Sequence, residues 1–540
     1  MSTTVQHFRQ NLLWPLRLMP ISGSHGRPWQ LLRDLPNSPW RELMDEYTGK
    51  RDGFHERHYH EFVAFLPYVQ RFLYGDGRTQ RTLNKDETDP PMRTFRRNDI
   101  KALRVQVNSG DAPITLDVHH VDLYFFFDVD LVLLNIEVST NNIPLAMAEE
   151  LLYRLGRAYP AGWDENGNAL HSLNHVEWLD AQGNVLSEDD AKERETFLSH
   201  VCEHRVPRMT AHWGYILQPL VNDHTTDAGV LRYRQIEHYR IPVMGFLAVD
   251  NPNELSRSDF IRLGLVTGAA SDDELPFAAG HLNDFENRYC DDRFWHAGGA
   301  APYTRYLCSG YAMIVVGDAN KPFFNCPDRG VRAQFNHQHF LLFLIAHFQK
   351  ATLLMFSDRL VEALKKLDVN NPSSVRRFKR SIRASFEGFL RFTHRYWFHE
   401  IAEQPHMRSM FHLCAQHLGL DPLYNEVKER ITDMNAYLDA DGLRRQANTV
   451  VRLTVVTIFG LIGTITTGFL GMNILNEADA PLYKKLALFA TVFTLTIMLT
   501  IYTMTKSKKL SDFLDAVSDE RLNWWQKTKA LIAVWRNNND

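Results

Sequence analysis

The residues of this chain best suited to handling an ion are uncharged and cluster toward its C-terminal end. Val450, Thr454, Thr457, Leu461, Thr464, Gly468 and Gly471 follow one another at steps of four and three, so a helix carries them on one face. That face offers hydroxyl oxygens, glycine gaps and no charge. Two readings fit it. Small residues let membrane helices approach closely, and hydroxyls along a water-filled path replace or steady an ion's hydration shell. The triplet Gly471-Met472-Asn473 closes the segment, and Glu477 and Asp479 follow in a short polar stretch. Those two carboxylates either attract cations to the loop or keep it soluble.

The elements that must hold this face are two apolar spans. No charged residue lies between Arg452 and Glu477, and none between Lys485 and Lys506. Each stretch reaches the roughly 20 residues needed to cross a hydrocarbon core. This gives a first span over 453–476, an external loop over 477–485, a second span over 486–505 and a tail over 506–540. Arg444, Arg445 and Arg452 precede the first span and Lys506, Lys508 and Lys509 follow the second, which places both ends in the cytosol. Lys484 and Lys485 on the loop side weaken that assignment. Residues 1–20 lack the continuous apolar core of a secretory signal, and the five widely spaced cysteines suit reduced cytosolic thiols. The expectation is a multi-pass protein of the cell inner or plasma membrane, embedded in lipid, with both termini cytosolic. One hairpin cannot enclose a pore, so conduction requires several copies around an axis with the first span innermost.

Upstream, residues 1–100 read as a polar, aromatic-rich extension with little periodicity. Residues 101–330 read as an α/β domain: Leu103–Val107, Ile114–Val118, Leu123–Phe127, Leu131–Val138, Pro242–Val249 and Tyr311–Val316 are strand-like, and Pro144–Arg157 is helical. Residues 331–452 are helical, over 331–368, 376–403 and 407–418 and then along a stalk. Polar residues within the first of these, Gln338, His347, Gln349 and Lys350, mark a core helix rather than a span. Asp421-Pro422 supplies an N-cap and a proline at the first helical position. Leu423, Val427, Ile431, Met434 and Leu438 then form one apolar stripe, with no break stronger than Gly442 before the first span.

A Gly-Met-Asn triplet at the outer end of the first of two C-terminal spans, behind a long striped helix, resembles the CorA-type magnesium channel family, the two-transmembrane GxN proteins. The resemblance is specific over residues 421–510 and architectural elsewhere. It implies a CorA-like fold: a homopentamer with a funnel-shaped α/β cytosolic domain, a long stalk helix and a C-terminal two-helix transmembrane hairpin. It makes Gly471, Met472 and Asn473 the outer selectivity filter, with Asn473 presenting its side-chain oxygen to a hydrated cation. It matches Thr464 and Gly468 to pore-facing positions and Asn448 to an inner asparagine. By the same resemblance Mg2+ is transported and also closes the channel from the cytosol. Leu470 and Ile474 stand where many members carry aromatics, and the soluble domain is longer than the family's usual one.

Magnesium dehydrates reluctantly, so a ring of neutral oxygens that holds the hydrated ion suits it. A divalent ion entering at 100 mV, negative inside, gains about 4.6 kcal/mol, twice the single-charge value, and no Gly-x-x-x-x-Gly-Lys-Ser/Thr loop occurs to couple transport to ATP. With 60 basic against 64 acidic residues the chain has no global attraction to nucleic acid. No nucleophile, organic-cofactor or enzyme motif stands out. The paired histidines His58/His60, His119/His120 and His337/His339 lack metal-site companions, and Asp128-Val-Asp130 reads as an exposed strand edge or a cation sensor. The stalk acids Glu426, Glu429, Asp433, Asp439 and Asp441 alternate with Lys428, Arg430 and Arg444, as on a salt-bridged helix surface. Two alternatives remain beside a magnesium channel that also admits cobalt or nickel. One is a transporter of zinc or another transition metal on the same fold, and the other a membrane-anchored regulator or scaffold without transport.

Overall fold

A computed structural model of the chain describes residues 3–19, 27–43, 56–75, 91–226, 229, 231–237, 240–270, 275–368, 371–471 and 481–518. These form two compact units, Met1–Ile431 and Thr432–Asp540.

The first unit is built on one mixed sheet. Its strands are β1 (Thr4–Leu18), β2 (Trp40–Glu42), β3 (Met92–Arg97), β4 (Ala102–Gln106), β5 (Ile114–Phe126), β6 (Leu131–Pro144), β7 (His175–Leu179), β8 (Val185–Glu188), β9 (Leu220–Asn222), β10 (Leu231–Gln235), β11 (Val243–Val249), β12 (Cys290–Phe294), β13 (Thr304–Cys308) and β14 (Ala312–Asp318). The main order is β12-β13-β14-β11-β1-β6-β5-β4-β7-β8, with β3 also on β5, β2 on β3, and β10 on both β1 and β9. Only β11/β14 and β9/β10 pair in parallel; the other pairs are antiparallel.

Strand β1 corrects the reading of residues 1–100 as a polar extension. It lies between β6 and β11, with Leu12 opposite Ile136 on one side and Val243 on the other. It was missed because Arg9, Gln10, Asn11 and Arg17 break its apolar run, yet all four are buried. A strand covered on both faces need not alternate. The runs 114–118 and 123–127 are in turn one strand, β5, kept continuous past a bulge between Val118 and His120.

Each face of the sheet carries its own core. On one, Phe8, Leu12, Trp14 and Leu16 pack with Trp178, Trp213 and Leu151. On the other lies the helix Phe340–Lys365, preceded by a short π-helical turn at Phe335–His339. Phe126 and Phe348 stack there with ring centres 4.1 Å apart, and Phe246 meets Phe335 at 5.6 Å. Burying one such ring contributes about 1.5–3 kcal/mol. The most apolar window of the stretch Val331–Lys365 is 83% buried, so this helix belongs to the protein core although it is long enough to span a membrane. Ion pairs pin it to the sheet: Arg17 with Asp358 and Glu362, Arg234 with Glu362, and Lys350 with Glu237.

Glu149, on the helix Leu145–Arg154, has no such partner. It is 5% exposed and its Oε1 accepts no hydrogen bond. Burial, then Asp259, raises its pKa from 4.5 to about 8. A raised carboxyl pKa favours the folded state fully below the unfolded value, and that contribution is lost as pH climbs through the folded value. Glu149→Gln is therefore expected to unfold like the wild type at pH 4 and to be more stable at pH 8.5, by on the order of 3 kcal/mol. Thermal unfolding at the two pH values reads this directly.

Helices Pro372–Arg395 and Pro405–Leu418 complete the first unit. Gly419, at φ 64°, closes the second of them. The long helix then begins at Leu420, so Asp421 is not its cap, and it runs without interruption to Gly471. Val427 and Ile431 of the expected stripe are buried and Leu423 is half-buried. The last helix spans Leu482–Ser518.

Candidate functional site

The second unit contains the two apolar segments that frame the candidate site. Leu482–Leu499 is long and apolar enough to cross a membrane, and none of it is buried. Phe489, Phe493, Leu495 and Met498 are each more than half exposed. In the long helix, Thr449–Leu461 is likewise apolar. An uncovered apolar surface of this extent calls for a non-aqueous surrounding or further protein.

The long helix has two different sides here. On one, Val455 is 1% exposed, while Val451, Phe459 and Gly463 are half-buried. These positions are four apart and so share a face. A Cβ built on Gly463 would meet Thr496 Cγ2 of the last helix at 3.0 Å, so the hairpin closes through a glycine contact. Gly463→Ala is expected to be tolerated. Gly463→Val must push the helices apart, and should lower thermal stability in detergent by about 1–3 kcal/mol.

The other side holds the stripe. Val450, Thr454, Thr457, Leu461, Thr464, Gly468 and Gly471 are all exposed in the single copy. At about 100° per residue these positions stay within roughly a third of the helix circumference. Their hydroxyls follow one pattern: Thr454 Oγ1 donates to Val450 O at 2.9 Å, Thr457 to Leu453 O at 2.8 Å and Thr464 to Gly460 O at 2.9 Å. With the hydrogen turned back onto the helix, each oxygen presents only lone pairs outward. The stripe is an acceptor surface without formal charge.

Met472, Asn473, Glu477 and Asp479 lie outside the described residues, as does the side chain of Asn448. By helical register, position 448 falls about 160° around from Val450, on the side away from the stripe. The tail beyond Ser518 is also outside.

Other titratable candidates resolve differently. Asp128 and Asp130 sit in the turn between β5 and β6, not in a strand. Asp128 accepts from Arg395 Nη1 and from the Tyr396 hydroxyl, both at 2.6 Å, and Asp130 pairs with Arg359, so each is committed to its own cation. His337 pairs with Glu61 at 2.9 Å, and His339 is fully buried, which holds its pKa down at about 3. On the stalk, Arg430 pairs with Glu426 at 2.5 Å.

Sequence reading missed a group on β7 and β8: His175, Glu177 and Glu188 bring one ligand atom each within 4.8 Å of one another. His175 already contacts Glu177 at 3.0 Å and Asp189 at 3.3 Å, and Arg104 holds Glu177 at 2.8 Å. The alternation His175-Val-Glu177 signals a shared strand face, but the register that sets Glu177 opposite Glu188 follows a bulged hairpin the sequence does not announce.

Comparison with protein-family models, with curated proteins and with solved structures returned no match.

Proposed function

We propose that this chain is a divalent-cation channel of the CorA type, which admits magnesium passively through a homopentameric pore. One observation carries the reading. A stripe of outward-facing hydroxyl acceptors runs up an apolar helix to Gly471, on the side opposite the contact with a second, wholly unburied apolar helix. Thr491 and Thr496 of the second helix make the same back-bond, so the reading rests on the alignment of three such oxygens with two glycines along one exposed face, where the water shell of a hydrated cation can donate to them.

In this reading several first spans meet with their stripes inward. Thr454, Thr457 and Thr464 offer oxygens to the ion's water shell, Leu461 narrows the path, and Gly468 leaves it wide. Asn473 forms the outer ring with Gly471 and Met472 shaping it, and Glu477 and Asp479 raise the cation concentration at the mouth. The membrane potential supplies about 4.6 kcal/mol per divalent ion. The protein sits in the inner or plasma membrane with its sheet domain in the cytosol.

The test is flux. Protein reconstituted into liposomes loaded with a magnesium-sensitive dye, under a negative-inside potential, should show influx that empty liposomes lack. Folded protein that gives none would shift the assignment to a membrane-anchored regulator, and faster uptake of zinc than of magnesium would change the ion.

A further inference from the structure

At one end of the sheet, β7 and β8 form a hairpin whose charges the channel reading does not use, with β8 as the edge strand. Val176 and Trp178 of β7 are buried in the core, so His175 and Glu177, which alternate with them, share the opposite face. The register sets Arg104 of β4, Glu177 of β7 and Glu188 of β8 side by side in one row.

Like charges directly opposite one another on paired strands destabilise a sheet, and Glu177 and Glu188 are such a pair. Arg104 relieves only one of them, its Nη1 donating to Glu177 Oε2 at 2.8 Å. Glu177 Oε1 is turned instead to His175 Nε2, 3.0 Å away. The exposed carboxylate of Glu188 has no hydrogen-bond or ion-pair partner among the described residues. One ligand atom from each of His175, Glu177 and Glu188 lies within 4.8 Å of the others. Two ligands bound at about 2.1 Å to a tetrahedral zinc ion stand about 3.4 Å apart, so the contact between His175 and Glu177 need open only slightly to admit one.

The far side of the imidazole is already held. His175 Nδ1 lies 3.3 Å from Oδ1 of Asp189, whose side chain is 4% exposed. Asp189 is fixed in turn by the backbone N–H groups of Val176 at 2.8 Å and Ala191 at 3.3 Å. A carboxylate behind one ring nitrogen is the usual device that orients a metal-ligating histidine. A neutral imidazole donates from one nitrogen only. With that proton on Nδ1, Nε2 turns a lone pair on Glu177 Oε1, and a cation between them makes the contact favourable. An imidazolium satisfies both carboxylates too, and a metal then replaces its Nε2 proton. Three carboxylates, Glu177, Glu188 and Asp189, meet one guanidinium here, which leaves two negative charges, the complement of one dication.

We infer that His175, Glu177 and Glu188 form a binding site for a transition-metal dication of the zinc type, with water at a fourth position. An imidazole among oxygens favours zinc, cobalt or nickel over magnesium, which takes oxygen ligands and keeps its water. Bound there, the ion ties the edge strand β8 to β7. The site lies within one copy of the sheet domain and asks nothing of the pore.

Isothermal titration of zinc chloride into the purified, chelator-stripped full chain, prepared without a histidine tag, tests it. One equivalent per chain is expected to bind more tightly than any further zinc, and a large excess of magnesium to leave it in place. Glu188→Gln and His175→Gln should each weaken that event at least tenfold, since changing even a group behind a ligand costs about 10–100-fold. His281→Gln, at an exposed histidine elsewhere, should bind as the wild type does. Glu188→Gln also removes the like-charge pair, so the metal-free variant should unfold no earlier than the wild type. Zinc should then raise the unfolding temperature of the wild type and not of this variant. No tight zinc binding by the wild type, binding that either substitution leaves unchanged, or displacement of zinc by an equal concentration of magnesium overturns the site.

Discussion

Magnesium influx is expected to fall to the background of empty liposomes when Gly471→Ala and Asn473→Ala are combined. Gly471 is the last residue of the long helix, and a Cβ at that position meets nothing within 4 Å in the single copy. The alanine is therefore accommodated by the fold, and any effect on flux arises where copies face one another. Asn473→Ala removes the one side-chain amide oxygen of the triplet, and the methyl group that replaces it offers a hydrated cation nothing to bind. Thr464→Val keeps shape and removes only the oxygen, so a partial reduction is expected there. Wild-type influx from the double variant, with its oligomer intact, would remove these residues from the filter.

The second large effect is on stability. Arg9→Met should destabilise the protein by about 3–5 kcal/mol, because it removes the guanidinium from Glu137, 5% exposed, and leaves that carboxylate only His120 at 3.6 Å. Combining it with Glu137→Leu should recover most of the loss, since two apolar side chains of similar volume leave no buried charge. Thermal unfolding of the single and double variants in detergent decides the point. If the two unfold alike, the ion pair is not what holds this part of the sheet.

The apolar C-terminal helices were legible because their signal is length and absence of charge, which needs no partner to be read. The strands at 103–107, 131–138, 242–249 and 311–316 were legible from β-branched runs. Strand β1 was not, because its polar residues are satisfied or enclosed by strands and a helix far away in sequence, and only the assembled domain reveals that. The same holds for Asp128 and Asp130, whose cations come from helices more than 200 residues downstream. In the stripe the spacing of threonines was readable, but the return of each hydroxyl hydrogen to the preceding turn is a conformational choice that spacing does not encode.

The position of β1 has a consequence for synthesis. It leaves the ribosome well before the strands that flank it, which are completed only at Pro144 and Val249. At about 5–20 residues per second the segment waits roughly 6–25 seconds with both edges open and about 12–46 seconds before the second edge is paired, with Phe8, Leu12, Trp14 and Leu16 uncovered. Its buried arginines then have a second use. Arg9 and Arg17 interrupt what would otherwise be a long, uncharged, aggregation-prone strand, and keep it soluble until the ribosome delivers Glu137 and Glu362 to meet them.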